Sequence, residues 1–186
     1  YLPNFLSWVI ISGIVTQLFA NTGMVNNIAN ALGAESIPFL SNSGIWRFVY
    51  WFSGVWQGAG YSLIVYLAAL MATDASLGEA AYIDGATRLQ RIWYVTLPQI
   101  SSTITVLLIM QIGKLVSISF DRPYLMGNTM VRDASSVIST YVYSIGLASG
   151  RFDFATAVGL FQTVVGVVLV LSANWVIKKM GQEGIV

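Results

Sequence analysis

Apolar residues in this chain fall into long runs separated by short polar stretches. No charged residue occurs within 1–34, 48–73, 92–113 or 154–177. A helix needs about 20 predominantly apolar residues to cross the hydrocarbon layer of a bilayer, and each of these runs is long enough. The pattern predicts spans over about 2–20, 48–72, 101–120 and 154–177. Pro3 suits a first helical turn, where its missing N–H has no partner to lose. Asn21-Thr22-Gly23 reads as an exit turn, and 21–47 as a loop with one short amphipathic turn around Met24 to Leu32. In the second run Gly54 and Gly58 share one helical face, a spacing that permits close backbone approach.

Residues 73–91 break the apolar pattern with Asp74, Glu79, Asp84, Arg88, Gln90 and Arg91. Ser76-Leu77-Gly78-Glu79 fits a capping box, in which the serine oxygen takes an early amide and the glutamate reaches back. The box predicts a short helix from Leu77 to Asp84, ended by a left-handed Gly85. A second short helix is expected from Ala86 or Thr87 to Thr96, with Pro98 breaking the chain at Leu97. Residues 121–153 read as a mixed segment with a short helix over Ser135 to Gly146 and a turn at Gly150–Asp153. The last run is followed by Lys178-Lys179 and a polar tail.

Composition turns these runs into a class. Of 186 residues, 56% are hydrophobic and only 9% charged, with a mean hydropathy of +0.71. A soluble domain carries about 25% charged residues. The expected fold is therefore all-α and polytopic in a membrane. A net charge of +1 gives no electrostatic case for nucleic acid. The absence of His and Cys excludes disulfides, thiolate chemistry, His-Cys zinc sites and His-dependent triads. No G-x-x-x-x-G-K occurs, so the chain is not expected to bind or hydrolyse ATP itself. It begins Tyr1-Leu2-Pro3, without a starting Met or a basic n-region, and reads as the C-terminal part of a longer polypeptide. Arg88, Arg91, Lys178 and Lys179 balance Arg47, Arg122, Arg132 and Arg151, so basic residues do not decide the orientation.

The polar segment carries a resemblance. Glu79-Ala80-Ala81-Tyr82-Ile83-Asp84-Gly85-Ala86, continuing through Ile92 to Thr96-Leu97-Pro98, resembles the EAA motif of bacterial binding-protein-dependent ABC transporter permeases, with Val95 where the pattern has Ile. The Ile83-Asp84-Gly85-Ala86 core is similar to that of carbohydrate permeases. Tyr66–Leu70, Thr140–Tyr143 and Ala155–Phe161 resemble the subgroup importing oligosaccharides and polysaccharide fragments. The resemblance implies a MetI-like, type I importer transmembrane domain in the bacterial cytoplasmic (inner) membrane. It implies a cytoplasmic coupling loop at 73–98, external loops at 21–47 and 121–153, and further spans before Tyr1. The implied partners are a second permease subunit forming a heterodimer, two ABC ATPase subunits and an extracytoplasmic solute-binding protein. The implied substrate is a carbohydrate, expected to be an oligosaccharide. No cofactor is expected on this chain, ATP and Mg being held by the ATPase subunits.

The same resemblance implies roles for Glu79, Ala80, Ala81, Asp84, Gly85 and Arg88 in docking the ATPase. Two alanines keep the contact face shallow, the carboxylates can meet basic or amide groups, and Gly85 sets the angle between the two short helices. Without the resemblance the segment is an ordinary polar hairpin. The substrate-path candidates come from the residues themselves. Gln111, Lys114 and Ser117 stand three apart and predict a polar stripe on one face of the third span, suited to sugar hydroxyls or a uronate. The alternatives are an interhelical contact or a Lys114 that snorkels to the interface. Gln57 and Tyr61, with Tyr66, are candidates for stacking and hydrogen bonding to sugar rings, against plain packing. Two other functions fit the composition: a transporter driven by an ion gradient, and a membrane scaffold that transports nothing.

Overall fold

The computed structural model describes residues 1–179, Gly181 and Gly184, so most of the polar tail lies outside the described residues. Among these residues all regular structure is helical. A 3-10 turn at Leu2–Phe5 precedes α1 (Trp8–Leu18), α2 (Met24–Ala31) and the long α3 (Ser43–Met71). Then come α4 (Ala75–Ile83), α5 (Arg88–Arg91), a π turn at Ile92–Thr96, α6 (Leu97–Gln99) and α7 (Ser101–Gly113). Short elements follow: α8 (Asp121–Met126), a 3-10 turn at Thr129–Val131, α9 (Arg132–Ser135), α10 (Ile138–Val142) and a second π turn at Tyr143–Leu147. The chain closes with α11 (Phe152–Lys179).

Among the described residues two helices are long and apolar enough to cross a membrane, α3 with 29 residues and α11 with 28. A third candidate is a bent pair, Arg88–Gln99 and Ser101–Gly113, which meet at 67°. The first apolar run is not one helix. Leu6 is extended, and the Ser7 hydroxyl caps a new helix by accepting the Ile10 amide at 3.4 Å. The resulting α1 has 11 residues, about 16 Å at 1.5 Å per residue, well short of a hydrocarbon layer.

The chain divides into two compact units, Tyr1–Tyr61 with Ile118–Gly159, and Ser62–Ser117 with Leu160–Val186. The first has a core of Ile11, Val15, Trp46, Val49, Met126 and Val131, where α1 packs on α8. Trp46 is 1% exposed, and its Nε1 donates to the Met126 carbonyl at 2.9 Å. Asn26 is fully buried and closes the loop after α2: it donates to the Ala20 and Ile37 carbonyls and accepts the Ile37 amide at 2.8 Å. The space expected for a neighbouring backbone at Gly54 is taken by the Arg122 guanidinium, which donates to the Tyr50 carbonyl and lies over the Tyr50 and Trp8 rings. Gly58 has no neighbour within 4 Å of where a Cβ would sit.

In the second unit α7 approaches α11 at small residues. A Cβ on Gly113 would meet Val170, and one on Gly166 would lie 3.5 Å from the Gly113 carbonyl. Ile109 is completely buried and Thr105 nearly so. The Gln162 side-chain amide donates to the Val116 carbonyl at 2.9 Å, which satisfies backbone beyond the end of α7. Large apolar side chains stay exposed on the long helices, Phe161, Val164 and Val168 of α11 among them. Such faces suit lipid or partner helices.

Candidate coupling surface and substrate-path residues

The segment 74–99 lies wholly in the second unit and is built by local hydrogen bonds. Its first cap is two residues earlier than the sequence pattern suggests. Asp74, not Ser76, is the N-cap of α4, and its carboxylate accepts the Ser76 amide at 2.9 Å. An ionised carboxylate there also meets the positive end of the helix dipole, which favours Asp over Ser. Asp74 is further tied by its own amide to the Gln99 side-chain oxygen at 2.8 Å, joining the entry of the segment to its exit. Gly85 has φ of +81°, the left-handed turn expected after α4.

Thr87 and Gln90 form a complete capping box at α5. The Thr87 hydroxyl receives the Gln90 amide at 3.4 Å, and the Gln90 side chain receives the Thr87 amide at 2.8 Å. Pro98 does not break the chain at Leu97, which keeps helical φ and ψ of −61° and −43°. The π turn just ahead bonds the Leu97 amide to the Ile92 carbonyl. That wider turn carries the chain past the carbonyl that a proline ring would strike in a regular helix. The break falls instead at Ile100, with φ of −100° and ψ of 7°.

No residue of α4, α5 or the π turn between them and α6 is buried. Tyr82, Ile83, Leu89, Trp93 and Tyr94 are all more than 60% exposed. Arg91 lies 5.1 Å from the Tyr82 ring centroid and braces α4 against α5, while its Nε is buried without a partner. Two shallow hollows flank this brace. One, of about 360 Å³, is edged by Ala81, Asp84, Gly85 and Gln90. The other, of about 470 Å³, is edged by Ala75, Gly78, Glu79 and Ile83. Four of the six residues that the EAA resemblance implies thus line the two hollows, Ala81, Asp84 and Gly85 on one and Glu79 on the other. Ala80 and Glu79 are exposed on α4, and Arg88 opens α5. An exposed apolar surface with small residues and a few charges is what a docking partner needs.

The Asp74 carboxyl is held below the usual carboxylate range, first by hydrogen bonding from the Ser76 side chain and then from its amide. The folded group therefore ionises more readily than the unfolded one. Its contribution is complete above the unfolded value and is lost as pH falls through the lowered folded one. Asp74→Ala is expected to speed amide exchange in the first turn of α4 at neutral pH and to leave α3 unchanged. Equal protection of the Ser76 amide in both proteins would show that the cap is not needed.

The polar stripe of Gln111, Lys114 and Ser117 does not form. Helix α7 ends at Gly113, Lys114 is its C-cap, and Ser117 lies in irregular chain with its amide on the Lys114 carbonyl at 3.1 Å. Spacing by threes gives a shared face only while a helix continues. Lys114 instead is an exposed cation at a helix C-terminus, which the dipole favours. Gln57 is half-buried, and its Nε2 donates to the Leu6 carbonyl at 3.1 Å, where the chain is extended between helical turns. That leaves its oxygen alone for any ligand. Tyr61 is 55% exposed and Tyr66 partly buried. Gln99 was missed in the sequence, and Asp74 and Arg91, read there only as charges of the polar segment, are a cap and a brace. An Asp two residues before a Ser is a readable cap signal, whereas Gln99 and Arg91 act across a bend that composition does not mark.

Residues 1–182 match the family described as "binding-protein-dependent transport system inner membrane component", and the chain belongs to that family. It is an all-α, polytopic transmembrane domain of the type I ABC importer fold. Over all 186 residues it is 41% identical to protein LplB and 44% identical to the polygalacturonan/rhamnogalacturonan transport system permease protein YteP, both of Bacillus subtilis (strain 168). It covers 58% of the length of each. Among solved structures it is similar to a chain of a bacterial alginate ABC transporter in complex with alginate pentasaccharide-bound periplasmic protein. There the TM-score is 0.94 at 40% identity, over 100% of this chain and 65% of the other.

Proposed function

We propose that this chain is part of a permease subunit of an ATP-driven importer, in which it forms half of an alternating-access path for an oligosaccharide. The single observation that carries the reading is the braced, exposed surface at 74–99, where EAA-motif residues edge two hollows on either side of Arg91. In this reading the surface docks an ABC ATPase subunit on the cytoplasmic side. Closure of the ATPases pushes α4, and the Asp74–Gln99 bond carries the push to both flanking helices. The segments 21–47 and 121–153 face outward and meet the solute-binding protein. A second permease subunit completes the path, ATP and Mg stay on the ATPase subunits, and the complex resides in the bacterial cytoplasmic membrane. The polygalacturonan/rhamnogalacturonan relative and the alginate importer support a polysaccharide fragment as substrate.

The test is ATPase activity of the reconstituted complex with its solute-binding protein, screened over neutral and acidic oligosaccharides. The expected result is stimulation by one sugar class and uptake that stops without ATP. Uptake that persists without ATP and follows an ion gradient would replace this reading with a gradient-driven transporter.

A further inference from the structure

Residues 123–144 of the first unit enclose an open groove of about 320 Å³. That size is at the small end of ligand sites, roughly 300–1,000 Å³, and fits a short segment of a saccharide. Its walls include Tyr124, Thr129, Arg132, Ser135, Ser136 and Tyr141. The tyrosines are held in place from behind. Tyr124 stacks on Phe120 at 4.6 Å and meets Tyr143 edge-on at 5.3 Å, while Tyr141 meets Phe154 edge-on at 6.1 Å. Both rings are half-exposed, so each offers a face or edge that costs little to order.

The polar groups of the groove are unspent. Among the described residues the Arg132 guanidinium makes no hydrogen bond or ion pair, and the Thr129, Ser135 and Ser136 hydroxyls have no partner. Ser135 is 8% exposed, so its hydroxyl sits at the floor. The neighbouring Asp133 makes no ion pair with Arg132 among the described residues: its carboxylate takes the Ser43 hydroxyl at 2.6 Å, and no carboxylate lines the groove. A small ligand that uses an unpaired guanidinium, several hydroxyls and aromatic walls is a polyhydroxylated anion. A neutral sugar leaves the cation unmatched, and a small inorganic anion leaves the rings unused.

We propose that this groove is a binding subsite for one uronate unit of an acidic oligosaccharide, with Arg132 pairing the carboxylate, Thr129, Ser135 and Ser136 bonding ring hydroxyls, and Tyr124 and Tyr141 flanking the ring. The subsite rests on the permease reading and adds a substrate class to it. Its place in the segment expected to face outward makes it a point of entry, used before the path through the membrane. A guanidinium–carboxylate pair is both charged and bidentate, so its loss is felt by acidic sugars alone.

The experiment uses the complete complex in proteoliposomes, with its solute-binding protein supplied in excess. Uptake of trigalacturonate is compared with that of its carboxyl-reduced neutral analogue. For Arg132→Gln the acidic-to-neutral uptake ratio is expected to fall about tenfold, the scale of one charge-assisted bond. Arg132→Lys is expected to restore part of it, and docking of the empty binding protein, followed by surface plasmon resonance, is expected to stay unchanged. An unchanged ratio would overturn the subsite, as would a wild-type complex that carries only the neutral sugar. Loss of empty-protein docking in Arg132→Gln would overturn it in favour of a protein interface. A wild-type complex that carries neither sugar with ATP would contradict the permease reading itself.

Discussion

Replacing Gly85 with Val is expected to lower ATP-driven uptake at least about tenfold, because the turn between α4 and α5 needs a left-handed residue. The position has φ of +81°, and a Cβ built there meets nothing within 4 Å. Space is therefore not the obstacle, and the cost lies in the backbone. A left-handed conformation costs an ordinary L-residue about 1–2 kcal/mol, and a β-branched one more. The chain can relieve that strain only by re-angling α4 against α5, which displaces Ala81, Asp84 and Gln90 around the hollow they share with Gly85. Asn tolerates this region, so Gly85→Asn is expected to keep most of the activity. Capture of sugar by the solute-binding protein should be the same in all three proteins. Equal losses in the Val and Asn variants would show that the turn geometry is not the cause, and full activity in both would remove Gly85 from the coupling surface.

The second large effect is on stability. Trp46→Ala is expected to destabilise the first unit by about 3–5 kcal/mol, the usual cost of emptying a large buried aromatic site. Trp46 stacks on Tyr50 at 5.0 Å, fills the core among Ile11, Val15 and Met126, and bonds the Met126 carbonyl. That bond links α3 to the end of α8 across 80 residues of sequence. Trp46→Phe fills much of the volume but leaves the carbonyl unpaired, with an expected cost of about 1–3 kcal/mol. Thermal unfolding in detergent should rank wild type above Phe above Ala. A Phe variant as stable as wild type would show that water or another donor takes over the Met126 carbonyl.

The helices and the segment 74–99 were legible to different degrees for physical reasons. The charge-free runs announced α3 and α11, because a long apolar helix leaves a composition trace at every position. The end of α7 left a weak trace, since the charge-free run stops at Gly113 but apolar residues resume after Lys114. The irregular chain there is supported by Gln162, 46 residues from the Val116 carbonyl it bonds. The three-residue spacing of Gln111, Lys114 and Ser117 makes a stripe only along a continuing helix, and α7 ends before Lys114. The split of the first run was partly readable, since Pro3 and Ser7 are a turn former and a cap, yet neither interrupts the hydropathy. In the segment 74–99 the motif residues, the Gly85 turn and the Thr87–Gln90 box could be read locally. The Asp74–Gln99 bond and the Arg91–Tyr82 brace could not, because they connect residues on two sides of bends whose angles only the fold sets.

The claim that most needs testing is that the surface at 74–99 receives the ATPase. These 186 residues contain no cysteine, so an introduced thiol can report from a chosen place. Ala80 is exposed on α4, and Met130 is 70% exposed in the segment expected to face outward. In the assembled complex, Ala80→Cys and Met130→Cys variants are labelled with a photoactivatable maleimide and irradiated. Position 80 is expected to cross-link to an ABC ATPase subunit, with a yield that changes when nucleotide is added, and position 130 is not. A cross-link to the ATPase from position 130, with none from position 80, would contradict ATPase docking at 74–99.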